Sequence, residues 1–148
     1  MQDSIFGVEV VNVREIKDER GSILHVIRED DQLFEHFGEC YCSEILPGYV
    51  KAWKFHHRQK QNLVVPVGRV KFVLYDNRPD SGSNGSLMEV QLGRPDAYHR
   101  LTIPAQIWYG FTCLSSEPAL LVNCATEMHD PSESKILAPE DELVPYKW

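Results

Sequence analysis

Two glycines, Gly48 and Gly68, frame the stretch GYVKAWKFHHRQKQNLVVPVG and constrain the chain more than any other feature. Between them lie two runs of strand-forming residues, so the frame reads as strand, connection, strand, turn. Within the first run Lys54 and His56 are two residues apart and share one face of a strand, while His57 points to the other. The second run is Leu63-Val64-Val65, with Gln61 just before it. A chain built round this frame presents a lysine and a histidine to one side of a sheet.

The remaining sequence repeats the same grammar. Strands are expected at 8–13, 22–27, 39–45, 49–56, 63–65, 70–75, 87–92, 98–103, 107–114 and 119–125. Residues 39–45 and 49–56 read as a strand pair round Pro47-Gly48, and 76–85 as a loop rich in Gly, Ser, Asn and Asp. Turn signals recur about every eight to twelve residues, as in an all-β sandwich or barrel. Residues 30–37 are the one candidate for a short helix. The tail from Glu127 to Trp148 is acidic and loop-like, with a helical turn expected near 132–136. The chain of 148 residues falls at the usual size of one domain, and a single domain spanning 1–148 is expected.

The spacing of the glycine frame resembles the first motif of the cupin superfamily, G-x5-H-x-H-x4-E-x6-G, with Lys54, His56 and Gln61 at the three ligand positions. The second motif, P-x-G-x2-H, falls on Pro104 to Tyr109, with Tyr109 at its histidine. The resemblance implies a double-stranded β-helix, a jelly-roll barrel. A metal site needs neutral imidazole, carboxylate or thiolate donors. A lysine cation and an amide at ligand positions argue for a barrel without metal or other cofactor, against the weaker reading of a metal-dependent oxygenase.

A closer resemblance rests on an ordered set: Asp18-Glu19-Arg20-Gly21, Lys51-Ala52-Trp53, His56 to Gln59, Val67 to Val70, Asp76-Asn77-Arg78, Ile103-Pro104 and Gly110-Phe111. In order and spacing these are similar to the dTDP-4-dehydrorhamnose 3,5-epimerase family, and the Leu121-Val122-Asn123 run and Pro145-to-Trp148 end to its short relatives. The family removes protons next to the C4 ketone of a nucleotide-linked sugar. It uses a histidine base, an aspartate that orients it, a lysine and an opposing tyrosine acid. The resemblance places the base at His56. It places the aspartate at Phe72, the lysine at Gln61 and the tyrosine at Val122, so those three groups are replaced. His56 is then expected to lack a carboxylate partner and to be a weaker base, with Lys54 stabilising an enolate and Tyr109 as substitute proton donor.

Binding groups carry over better. The resemblance puts Arg20 on the nucleotide diphosphate. Lys51, Lys54 and Arg58 add positive charge beside it, suited to phosphate oxygens. Trp53, where the family has an arginine, offers a ring for stacking on sugar or base. Gln61 completes the candidate substrate-binding set. The expected function is epimerase- or isomerase-like action on a dTDP-linked deoxysugar, and the alternative is a nucleotide-sugar-binding barrel without catalysis.

The rest narrows partners. A net charge of −7 without a basic stripe speaks against nucleic acid. No apolar run reaches membrane-spanning length, and the N-terminus lacks a signal-peptide pattern. A cytoplasmic protein is expected, with Cys40, Cys42, Cys113 and Cys124 reduced. An open barrel edge is a liability unless covered, so a homodimer is expected.

Overall fold

A computed structural model describes residues 4–148. β-branched and aromatic runs broken by Gly, Pro and Asx turns form twelve strands: β1 (Glu9–Asn12), β2 (Glu15–Asp18), β3 (Gly21–Leu24), β4 (Glu39–Ile45), β5 (Val50–His56), β6 (Gln61–Val67), β7 (Arg69–Tyr75), β8 (Leu87–Gly93), β9 (His99–Ile103), β10 (Trp108–Cys113), β11 (Ala119–Ala125) and β12 (Ser134–Ile136). They build a β-barrel of two antiparallel five-stranded sheets, ordered β1-β9-β6-β11-β4 and β12-β5-β10-β7-β8, with β2–β3 as a separate hairpin. This is the jelly-roll arrangement expected of the cupin class. Among the described residues no helix is long and apolar enough to cross a membrane.

Alternation puts Leu63, Val65, Phe72, Leu74, Leu101, Ile103 and Leu121 between the sheets, all nearly or fully buried. Phe72 packs on Phe111 with ring centroids 5.5 Å apart. Gly68 turns β6 into β7 at φ 80°, and a Cβ there would stand 2.7 Å from the Ala119 Cα. Both facts require glycine.

Several expectations are corrected. β4 and β5 are not a pair: β4 pairs with β11 and β5 with β10 and β12, so the chain crosses between sheets at Pro47-Gly48. Residues 30–37 form turns and irregular chain, not a helix. Here the fully buried Arg100 donates to both Asp31 oxygens, at 2.7 and 3.0 Å, and to the Val26 carbonyl. Tethering the segment to a distant strand outweighs the weak helical preference of a short run. The tail adds a 3-10 turn, Pro131–Glu133, and then β12.

The tail also roofs the outer face of the second sheet. Trp53, Val73 and Trp108 bury there under Leu137, Val144, Tyr146 and Trp148. Lys71 donates to the Tyr146 hydroxyl at 2.8 Å, which itself donates to Glu89 at 2.6 Å. All four cysteines are free thiols. Cys124 faces Cys40 across β11–β4 with the sulfurs 3.4 Å apart, and burial together with that neighbour pushes its pKa up to about 12.

The 76–86 loop is organised by one buried carboxylate. Asp76 accepts hydrogen bonds from Arg78, Ser81 and Ser83. Burial alone would raise its pKa, but these bonds hold it well below the usual carboxylate range. An unfolded Asp titrates at about 3.9, so this contribution is present above that pH and is lost as pH falls towards the folded value. Asp76→Ala, which strands Arg78, should cost about 3 kcal/mol at pH 7. Urea unfolding of mutant and wild type should converge as pH drops below about 4, and an equal difference at pH 7 and pH 3 would refute this assignment.

Candidate active site

The backbone builds the site by bending one strand. Along β5–β10 the register runs Tyr109↔Lys54 and then Phe111↔Lys51, so β5 carries one extra residue at Ala52-Trp53. Such a bulge shifts the alternation of side chains. Lys51 on one side of it and Lys54 and His56 on the other therefore all face inward. They line a cavity of about 680 Å3 between the sheets, with Tyr109 on β10, Leu121 and Asn123 on β11 and Tyr41 on β4.

His56 lies at the inner wall, 5 % exposed. Its Nδ1 is in short contact with the Glu133 carboxylate. Glu133 Oε2 accepts from the backbone amides of Arg58 and Gln59 at 3.1 and 3.2 Å. Three donors thus converge on one nearly fully buried carboxylate. The approach is set by pairing: Ser134 is opposite His56 where β12 meets β5, and Asp130 caps the 3-10 turn by accepting from the Ser132 amide and hydroxyl. Burial alone would raise the pKa of Glu133, but the bonds from His56 and the two amides lower it overall. It stays an anion. The expectation of a His56 without a carboxylate partner is therefore overturned. The partner comes from residue 133, not from the position of Phe72, which is core.

A carboxylate at Nδ1 fixes the tautomer: Nδ1–H donates to Glu133 and Nε2 keeps its lone pair. Burial lowers the His56 pKa, and Glu133 only partly offsets it. The ring is neutral at pH 7 and able to accept a proton at Nε2. The Tyr109 hydroxyl lies 3.4 Å from that nitrogen, with the two rings stacked at 6.1 Å. Burial pushes its phenol far above the ordinary value, with Tyr41 and Glu133 adding to the effect.

Gln61 lies in an amide chain. Gln59 Nε2 donates to the Glu127 carbonyl at 2.7 Å, Gln61 Nε2 donates to Gln59 Oε1 at 2.6 Å, and Asn123 Nδ2 donates to Gln61 Oε1 and to the Tyr41 hydroxyl. Its polar ends are thereby committed to neighbours. With Lys54 cationic, Gln61 so engaged and Tyr109 a phenol, the donors at the nominal ligand positions do not fit a first-row metal. Among the described residues no three His, Cys, Asp or Glu side chains gather for one.

The expected site residues divide. His56, Lys54, Lys51 and Tyr109 come together at the cavity. Lys51 Nζ donates to Ser43 Oγ at 3.1 Å and to the Glu44 carbonyl at 2.6 Å, tying β5 to β4. The Trp53 indole is 1 % exposed. Trp53 also borders the cavity, but its ring rests on Trp148 and Tyr146 and donates to the Pro139 carbonyl, so it is packed against the tail. Arg58 pairs outside with Glu127 and Asp130. Arg20 sits on the β2–β3 hairpin, paired with Asp18 and 84 % exposed, away from the cavity of its own chain. Sequence reasoning missed Glu133, Tyr41 and Asn123. The Asp130-Pro131 capping signature before Glu133 was the one local sign of an ordered turn there.

The dyad can be tested directly. His56 should titrate below the ordinary imidazole value of about 6.5. Glu133→Gln removes the anion that favours the imidazolium, so the titration should move lower still when followed by NMR of the ring. An upward shift or no shift would mean that the two groups do not interact.

Comparison with known proteins identifies the family. The family model for dTDP-4-dehydrorhamnose 3,5-epimerase matches residues 2–148. The chain is 31% identical over 146 residues to the spore coat polysaccharide biosynthesis protein SpsL of Bacillus subtilis, covering 97% of this chain and 96% of that protein. It is 35% identical over 145 residues to the probable low-salt glycan biosynthesis epimerase Agl13 of Haloferax volcanii, covering 97% and 89%. A crystal structure of a dTDP sugar isomerase from Desulfovibrio desulfuricans superposes with a TM-score of 0.95 at 43% identity, over 97% of this chain and 92% of that one. With a family match over almost its whole length and a histidine–carboxylate pair facing the barrel cavity, the chain belongs to the dTDP-4-dehydrorhamnose 3,5-epimerase family.

Proposed function

We propose that the protein removes a proton next to the keto group of a dTDP-linked 4-keto-6-deoxy sugar, as an epimerase or isomerase. The observation that carries this reading is the buried His56–Glu133 pair, which leaves Nε2 open towards the cavity. Abstraction turns the neutral imidazole into an imidazolium, and Glu133 stabilises that charge as it forms. The electron pair released from carbon collects on the keto oxygen. Lys54 lies on the same wall as His56, with no hydrogen bond or ion pair among the described residues, and supplies a cation for that oxygen. Tyr109 steadies the ring, its 3.4 Å contact being loose enough for substrate to displace.

The diphosphate belongs with Lys51 at the mouth. Arg20 can contribute only from the hairpin of a second copy, and a homodimer is part of the reading. Exposed Val10, Ile16 and Ile23 on β1 and the hairpin support it as apolar surface suited to burial. A cytoplasmic setting, no cofactor and no nucleic-acid partner go with this reading.

Deuterium wash-in from D2O into a dTDP-4-keto-6-deoxy sugar tests it. Wild type should exchange, His56→Ala should abolish exchange, and Glu133→Gln should lower kcat about 100-fold with little change in KM. Exchange that survives in His56→Ala rules out this base. No exchange by wild type with the nucleotide sugar bound would make the protein a binding module without catalysis.

A further inference from the structure

Epimerisation needs a base on one face of the sugar carbon and an acid on the other, and the two sheets divide these faces. His56, Lys54 and Tyr109 stand on β5 and β10 in one sheet; Tyr41 and Asn123 stand on β4 and β11 in the other. Tyr109 sits beside His56, in contact with the very nitrogen that takes the proton. A donor there returns the proton from the face it left. The resemblance puts an opposing tyrosine at Val122, but Val122 pairs with Cys42 on the outward face of the sheet. One residue further, Asn123 pairs with Tyr41, and both side chains line the cavity.

We infer that Tyr41 is the opposing acid, supplied from β4 in place of a tyrosine on β11. Its hydroxyl oxygen accepts from Asn123 Nδ2 at 3.0 Å. Its own O–H hydrogen has no acceptor among the described residues and is free for a ligand in the cavity. Asn123 is held in turn by Gln61 and by the Asn62 amide, so the phenol is aimed by a buried network. Burial raises the Tyr41 pKa, against the opposing pull of the Asn123 bond, and the phenol is protonated at neutral pH. The step balances. His56 Nε2 takes the proton as the C–H bond breaks and the electron pair moves into the enolate. That pair then forms a C–H bond on the opposite face with the Tyr41 proton, leaving imidazolium and phenolate. Water at the half-open Tyr41 end of the cavity returns a proton to the phenolate and accepts one from His56.

The proposal rests on the proton-abstraction reading above, and one experiment separates the two. Wild type and Tyr41→Phe are incubated with a dTDP-4-keto-6-deoxy sugar in D2O, and deuterium content and configuration at the exchanging carbon are read by NMR. In Tyr41→Phe, wash-in should persist with retained configuration, because His56 returns deuterium to the same face, while inverted product falls about 100-fold or more. Inversion by Tyr41→Phe at the wild-type rate overturns the inference. So does a loss of wash-in and inversion in equal proportion, or a wild type that exchanges without inverting. A wild type that binds the nucleotide sugar and exchanges nothing refutes the underlying reading instead. Fluorotyrosine at position 41 provides a second measure that keeps the side chain's shape. Lowering the phenol pKa should bring the alkaline limb of the inversion rate to lower pH, and an unmoved limb also overturns the assignment.

Discussion

A carboxylate can be buried only if its oxygens are met by donors, and much of this molecule answers that requirement at Glu133. Its two oxygens take the His56 Nδ1 and the amides of Arg58 and Gln59. The same contacts end β5, orient the ring and keep the imidazole neutral with its lone pair towards the cavity. Gln59 then begins the amide chain through Gln61 and Asn123 to Tyr41. One buried anion on a 3-10 turn thus organises both walls of the cavity, through partners that lie far apart in the chain.

The second constraint is the bulge at Ala52-Trp53. Without it, strict alternation would place Lys51 and Lys54 on opposite faces. With it, both lysines reach the cavity in a chain of net charge −7, while the Trp53 ring packs against the C-terminal tail. The tail delivers β12, and β12 holds Glu133 against β5. The outer packing of Trp53, Tyr146 and Trp148 is therefore mechanically tied to the geometry of the base.

Much of the fold was readable in the sequence because strand signals are local. Alternation and turn residues placed β4, β5 and β7 to β11 close to their observed bounds, and the glycine frame pointed to the cavity through His56 and Lys54. The hairpin partner β2 and the short β12 were missed, since each is only three or four residues long and gains its order from the strand it meets. The helix expected at 30–37 failed because the Asp31–Arg100 contact joins residues 69 apart in the chain, which no window of local propensity contains.

The sequence by itself determined an all-β barrel, a histidine facing its interior and cationic side chains beside it, because side-chain alternation and turn chemistry act over a few residues. Only the tertiary structure decided that this histidine has a carboxylate, that Trp53 faces the tail and that Tyr41 stands opposite the base. Glu133 lies 77 positions from His56 and Tyr41 82 from Asn123. Those contacts depend on which strands pair and in what register, and pairing between distant strands is set by the assembled sheet, not by the residues of either strand alone.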